Sequence, residues 1–89
     1  MAIQTIIQYI EDTIIERYRN LGGKSGVAAY SLENDSVTVQ FNDGGAYLYN
    51  CVSAGRDQIE TMKALAIAGQ GLNSFIMKYV RKSYATKLR

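Results

Sequence analysis

Two tyrosines spaced two residues apart are the side chains of this 89-residue chain whose types and spacing best fit a chemical task. Tyr47 and Tyr49 lie in a short segment with strand chemistry, where alternate side chains project from the same face. Nucleic-acid bases stack on such platforms for about 1–3 kcal/mol per base. Gln40, on the preceding segment, could hydrogen-bond to a base edge or a sugar. Alternatively, the two tyrosines only pack across strands, since aromatic residues are enriched in sheets.

Basic residues concentrate at the end of the chain. All 8 acidic residues lie at or before Glu60, whereas 6 of the 10 basic residues follow it. A basic end on an otherwise acidic chain suggests an anionic partner, although a solvated helix face is the common alternative. The candidates for phosphate contact are Lys78, Arg81, Lys82 and Lys87.

The residues that most often carry catalysis or bind metals are scarce. The chain has no histidine and one cysteine, Cys51, so it lacks the usual general base, a disulfide and a tetrahedral zinc site. The segment Gly22–Ser25 contains Gly-Lys-Ser, but here a helix would precede it and a strand follow, which reverses the context of a phosphate loop. We therefore predict no catalytic residues, no cofactor and no metal.

The location is predicted from two further features. A lone cysteine suits a reducing compartment. No apolar run approaches the roughly 18 residues of a membrane span. We expect a cytoplasmic protein with no membrane partner.

The beginning of the chain carries an apolar stripe with helical spacing. Residues 2–20 are predicted to form a helix that ends at Gly22-Gly23. This helix could cover the domain's own sheet or pair with another copy of the chain. In the second case the oligomer interface would contain Ile3, Ile7, Ile10 and Ile14.

Three strands are predicted next, over 27–32, 37–41 and 46–52, as an antiparallel meander. A two-residue turn at Asn34-Asp35 sets Leu32 opposite Val37. A two-residue turn at Asp43-Gly44 sets Phe41 opposite Ala46 and directs both tyrosines and Gln40 away from the core. A three-residue turn would move both tyrosines to the core side.

Two C-terminal helices complete the prediction. Ser53 is the expected cap of the first, Gly69-Gln70-Gly71 separates them, and the second begins near Leu72. Residues 86–89 are expected to fray. The predicted fold is α+β in the order αβββαα, with both C-terminal helices packed on one sheet face. Residues 1–23 would be a packing or dimerisation helix and residues 24–89 a compact domain.

Residues 24–88 also resemble the KTSC domain, a small bacterial domain that is found alone or at the C-terminus of some lysyl-tRNA synthetases. The resemblance rests on Ala28-Ala29-Tyr30, Val37 to Phe41 with Gly44-Gly45, Tyr47-Leu48-Tyr49, Gly71-Leu72-Asn73 with Ile76, and Tyr79. Ser53 stands where that family usually has a proline. The resemblance implies an RNA-binding role and adds Asn73 and Tyr79 to the candidate residues.

Two functions follow as hypotheses. The first is a small non-catalytic module that binds RNA through the tyrosine face and the basic final helix. The alternative is a protein-interaction module, either a homodimerising adaptor or an inhibitor such as mobile elements carry, that uses the apolar N-terminal helix.

Overall fold

A computed structural model describes residues 15–89 of the chain. The strands are β1 (Glu16–Arg17), β2 (Val27–Glu33), β3 (Ser36–Phe41), β4 (Ala46–Asn50) and, last in the chain, β5 (Thr86–Lys87). Between β4 and β5 lie α1 (Cys51–Ala54), α2 (Arg56–Ala68) and α3 (Leu72–Phe75), which continues as a π-helical segment, Ile76–Val80.

The described strands form one antiparallel sheet in chain order, β1-β2-β3-β4-β5. The helices pack on one face of it. The fully buried core joins the sheet to the helices; it consists of Tyr18, Val27, Val37, Val39, Tyr49, Ile59, Met62, Ala66, Leu72, Ile76 and Val80.

The predicted order αβββαα is wrong at both ends of the described chain. Residues 15–20 are not helical, because Glu16 pairs with Tyr30 and Arg17 with Ala29 as an edge strand. The backbone N–H of Tyr18 also donates to Ala28 O over 3.0 Å. The rest of the predicted helix lies outside the described residues, and so does the predicted interface of Ile3, Ile7, Ile10 and Ile14.

The end of the chain does not fray. It returns to the sheet as β5, where Tyr47 pairs with Lys87 and Leu48 with Thr86. Backbone hydrogen bonds extend this pairing, from Ala85 N–H to Leu48 O at 2.7 Å and from Leu88 N–H to Ala46 O at 2.7 Å. The predicted three-stranded meander is therefore the middle of a five-stranded sheet.

The first hairpin has the predicted register. Leu32 lies opposite Val37 and Glu33 opposite Ser36, so Asn34-Asp35 forms a two-residue turn.

The second hairpin has the longer turn that the sequence left as the alternative. Phe41 N–H donates to Gly45 O over 2.8 Å, so three residues lie in the turn, and Gly44 N–H donates to Phe41 O over 3.0 Å. Gly44 has φ 96°, a conformation that a glycine adopts without steric cost. The register shifts by one residue, and Val39 and Val37 lie opposite Tyr47 and Tyr49. Both tyrosines therefore face the helices, which corrects the predicted outward display.

The helix boundaries depend on asparagine and glycine. Asn50 caps α1, and its side chain accepts from Ser53 N–H over 2.8 Å. Ser53 therefore completes a capping box and does not cap α2, which begins after Gly55. Gly69 and Gly71 both adopt the left-handed conformation, which confirms the predicted break before Leu72. In the described part of the chain, no helix has the length and apolarity needed to cross a membrane.

Candidate nucleic-acid interface

A cleft of about 460 Å³ opens between the β3–β4 hairpin and the end of the final helix. It brings aromatic, cationic and acidic side chains together at one surface. Its lining consists of Gly26, Phe41, Asp43, Tyr47, Tyr49, Met77, Arg81, Lys82 and Tyr84.

Three tyrosines and a phenylalanine form a connected aromatic cluster in this cleft. The ring centroids of Tyr47 and Tyr84 are 4.9 Å apart at an interplanar angle of 51°. Phe41 meets Tyr47 edge-on at 5.9 Å, and Tyr49 meets Tyr84 edge-on at 6.3 Å. Edge-on and tilted pairs are favourable because the positive edge of one ring faces the negative face of another.

The three tyrosines differ in their access to a ligand. Tyr84 is 36% exposed and Tyr49 only 1% exposed, whereas Tyr47 is half-buried. Tyr47 and Tyr84 can therefore offer ring surface to a ligand, and Tyr49 forms the floor of the cleft. The predicted stacking role of Tyr49 is lost, because the one-residue register shift places its ring in the core.

Burial also fixes the ionisation of the floor. Desolvation raises the pKa of the Tyr49 hydroxyl to about 12, and the nearby Tyr47 and Tyr84 add to the shift. The Tyr49 hydroxyl therefore stays neutral well into the alkaline range, where it can still donate a hydrogen bond.

Positive charge comes from the turn that follows the final helix and from β5. Arg81 and Lys82 line the cleft, and Lys87 Nζ lies 5.9 Å from the centroid of the Tyr47 ring. Every ion pair found within residues 15–89 lies elsewhere; these pairs join Arg56, Asp35, Glu60 and Lys63. The cleft cations are therefore available to an anionic ligand.

The structure does not bring the other predicted site residues into the cleft. Gln40 pairs with Ala46 on the sheet face away from the helices, where it lines a smaller cavity with Ser31 and Thr38. Lys78 Nζ lies 5.3 Å from the centroid of the Tyr79 ring, outside the cleft lining.

Asn73 also lies beside the cleft lining. A Cβ on Gly26 would be 3.6 Å from Asn73 Oδ1, so the amide packs against the backbone of this glycine. Asn73 supports one wall of the cleft without lining it.

Tyr84 and Met77 line the cleft but were not among the predicted site residues. Met77 lies in the π-helical segment, and Arg81 directly follows the end of that segment. Tyr84 follows the helix and lies just before residues 86–89, which the sequence predicted to fray. The sequence signal for a strand here was Thr86, two residues after Tyr84, because β-branched residues favour strands.

Comparisons with known proteins add nothing to this geometry. No family model, curated protein or solved structure matches the chain. The resemblance to the KTSC domain therefore stays a prediction. Residues 15–89 also contain no group of three or more His, Cys, Asp or Glu side chains that could hold a metal ion.

Proposed function

We propose that this protein binds single-stranded RNA in the cleft between the β3–β4 hairpin and the final helix. The observation that carries the proposal is the Tyr47–Tyr84 ring pair, which shares one cleft with Arg81 and Lys82. Aromatic rings beside a cationic groove are the usual means of holding an unpaired strand.

The aromatic part of the cleft accounts for base binding. Base rings stack on aromatic side chains for about 1–3 kcal/mol each, whatever their sequence. Tyr84 offers the more exposed ring, and Tyr47 supports it from the sheet. An extruded base would lie against Tyr84 and cover Met77, whose side chain is 46% exposed.

The cationic part accounts for backbone binding. Arg81 and Lys82 would contact phosphates next to the stacked base, and Lys87 would extend the positive surface along β5. Each phosphate contact releases counterions, so affinity must fall as salt rises.

A single strand fits better than a duplex. Bases within a duplex are stacked on each other and present only their edges, whereas ring stacking needs an exposed base face. The cleft volume of about 460 Å³ is that of a small-ligand pocket. It admits an unstacked base but not a double helix.

The proposed activity is non-catalytic, and we place it in the cytoplasm on the strength of the free thiol of Cys51. The alternative of a dimer or adaptor joined by the N-terminal isoleucines stays a prediction, because those residues lie outside the described part of the chain.

Binding can be tested by fluorescence anisotropy with a labelled single-stranded RNA of about eight nucleotides. We expect saturable binding at low salt that weakens as salt rises, and weaker binding of a duplex of equal length. The double variant Arg81→Ala, Lys82→Ala should lower both the affinity and its salt dependence. Lys78→Ala, on the helical segment that precedes these two residues but outside the cleft, is the control. No binding at low salt, or equal loss in the control, would overturn the proposal.

A further inference from the structure

The cleft contains one carboxylate. Among residues 15–89, Asp43 is the only acidic residue of the lining, and it lies in the turn of the β3–β4 hairpin, whereas Arg81 and Lys82 lie in the turn that follows the final helix. A carboxylate repels phosphates, so the proposed ligand cannot place its backbone against the hairpin. The two ends of the cleft therefore differ in charge. The part of the ligand that meets the hairpin end must carry hydrogen-bond donors.

The turn holds Asp43 in a defined position. Asp43 Oδ1 accepts from Gly45 N–H over 2.8 Å. Two hydrogen bonds hold the neighbouring Asn42. Its backbone N–H donates to Gly26 O over 2.8 Å, and its side-chain amide donates to Ser25 O over 3.1 Å. A carboxylate fixed in this way is ready to accept further hydrogen bonds without the entropic cost of ordering a mobile side chain.

Gly45 keeps the space between Asp43 and the aromatic cluster open. A Cβ at this position would lie 3.2 Å from Asp43 Oδ1 and 3.4 Å from Tyr47 Cε1. The carboxylate and the Tyr47 ring therefore flank the same small volume. A base near the rings would bring its edge within reach of the carboxylate.

The four RNA bases differ in what they offer to a carboxylate. The Watson–Crick edge of guanine presents two adjacent donors, N1–H and the N2 amino group. Adenine and cytosine each present one amino group beside a ring acceptor. Uracil presents one N–H between two carbonyl oxygens. A carboxylate repels these oxygens, because they carry partial negative charge. A carboxylate has about four lone-pair sites, so Asp43 can hold Gly45 N–H and still accept two bonds from guanine.

We infer that Asp43 makes the cleft selective for guanine over uracil. This inference rests on the proposed function, since it names the base that the RNA-binding cleft takes. Asp43 would accept from the guanine edge while the ring stacks in the aromatic cluster and the phosphates meet Arg81 and Lys82.

The test compares two labelled RNAs that differ in one nucleotide: an oligouridine of about eight residues and the same strand with one central guanosine. The guanosine strand should bind at least about fivefold more tightly, as expected when a hydrogen-bonded base edge is read. Asp43→Asn should abolish this preference and tighten the binding of oligouridine, because a charge that repels the uracil carbonyl oxygens is removed. Asparagine retains an Oδ1 that can accept from Gly45 N–H, so the turn is preserved.

Asp57→Asn is the control for the change in net charge, because Asp57 is exposed on α2 and does not line the cleft. This control should keep the guanine preference. Equal affinity for both strands, or a preference that survives Asp43→Asn, would overturn the selectivity and leave the RNA-binding proposal intact. Failure to bind either strand would overturn both.

Discussion

The hydroxyl of Tyr18 accepts a hydrogen bond from the backbone N–H of Leu72 over 3.2 Å. Tyr18 is 3% exposed and Leu72 fully buried, so this bond lies in the core. The first turn of a helix leaves its N–H groups without partners in the helix. Tyr18, which continues from the edge strand β1, satisfies one of them and links that side of the sheet to the helix that forms one wall of the cleft.

Tyr18→Phe should lower the free energy of unfolding by about 1–3 kcal/mol, because it leaves the buried Leu72 N–H without an acceptor. Urea unfolding followed by circular dichroism measures this loss. Tyr30→Phe is the matched control, since Tyr30 packs against the core and its hydroxyl takes part in none of the hydrogen bonds within residues 15–89. Equal loss in both variants would show that the Tyr18 hydrogen bond contributes nothing specific.

Tyr18 also shows why the start of the fold could not be predicted. It falls on the helical spacing of the preceding isoleucines, so apolar periodicity assigned residues 15–20 to a helix. Its side chain is buried equally well from an extended segment, where β1 pairs with β2 and the hydroxyl reaches Leu72. Periodicity gives the identity of the buried residue, but long-range pairing decides the backbone conformation.

Gly69→Ala should destabilise the fold more than a left-handed conformation alone accounts for. Gly69 has φ 78°, and a Cβ there would lie 2.8 Å from Arg19 Cβ, a contact that requires the backbone to move. Gly23→Ala is the control, because Gly23 has φ 81° and a Cβ there would meet nothing within 4 Å. The control should lose about 1–2 kcal/mol, as expected for one left-handed residue.

The Gly69 variant should lose clearly more than the control when both are compared by thermal and urea unfolding. It should also disturb the hydrogen bond that Arg19 donates to Ile67 O. If the two glycine variants lost equal stability, the contact between the new Cβ and Arg19 would contribute nothing to the free energy of unfolding.

The position of the tyrosines depended on the length of one turn. Asp43-Gly44 is a strong two-residue turn signal, yet the same residues also fit a three-residue turn with Gly44 as its left-handed position. A change of one residue exchanges the two faces of a strand. The sequence therefore identified Tyr47, Tyr49 and the two alternatives, but the choice between them depends on how the rings pack in the core that the sheet shares with the helices.

Arg81 and Lys82 are predicted candidates that line the cleft. Their exposure followed from the buried stripe of Leu72, Ile76 and Val80, but both residues lie in the turn after the helix and not on the helix itself. The sequence did not predict that Arg81 and Lys82 share a cleft with Tyr84, because this arrangement requires the chain end to pair with β4. Strand pairing by two residues leaves almost no pattern in the sequence.

Stability should fall with rising pH between about 10 and 12 because of Tyr49. Its pKa is about 12 in the folded protein and near 10 in the unfolded chain. Above the unfolded pKa, the unfolded chain releases a proton that the folded protein keeps, so unfolding becomes easier. The stability that the neutral Tyr49 phenol contributes is fully present below its pKa in the unfolded chain. It is lost as the pH rises through its pKa in the folded protein.

Urea unfolding at a series of alkaline pH values measures this dependence. Tyr49→Phe should show a flatter decline, whereas Tyr79→Phe, which removes an exposed phenol, should follow the wild type. If the free energy of unfolding of Tyr49→Phe fell with pH as steeply as that of the wild type, burial of the Tyr49 hydroxyl would not cause the pH dependence.

Tyr84→Ala should weaken binding of single-stranded RNA by about 1–3 kcal/mol, the value of one base–aromatic contact. Tyr79→Ala is the control, because Tyr79 is 54% exposed on the helical segment that precedes Tyr84 and does not line the cleft. Titration calorimetry gives both affinities. Equal losses would place the stacking surface elsewhere.

The central claim is that RNA occupies the cleft, and backbone amide chemical-shift mapping tests it most directly. A ¹H–¹⁵N correlation spectrum is recorded while a single-stranded RNA containing one guanosine is added at low salt. We expect the largest shifts at Phe41 to Tyr47 and at Met77 to Tyr84, the two walls of the cleft. Shifts confined to the opposite sheet face around Ser31 and Thr38, or no shifts at saturating RNA, would contradict the account.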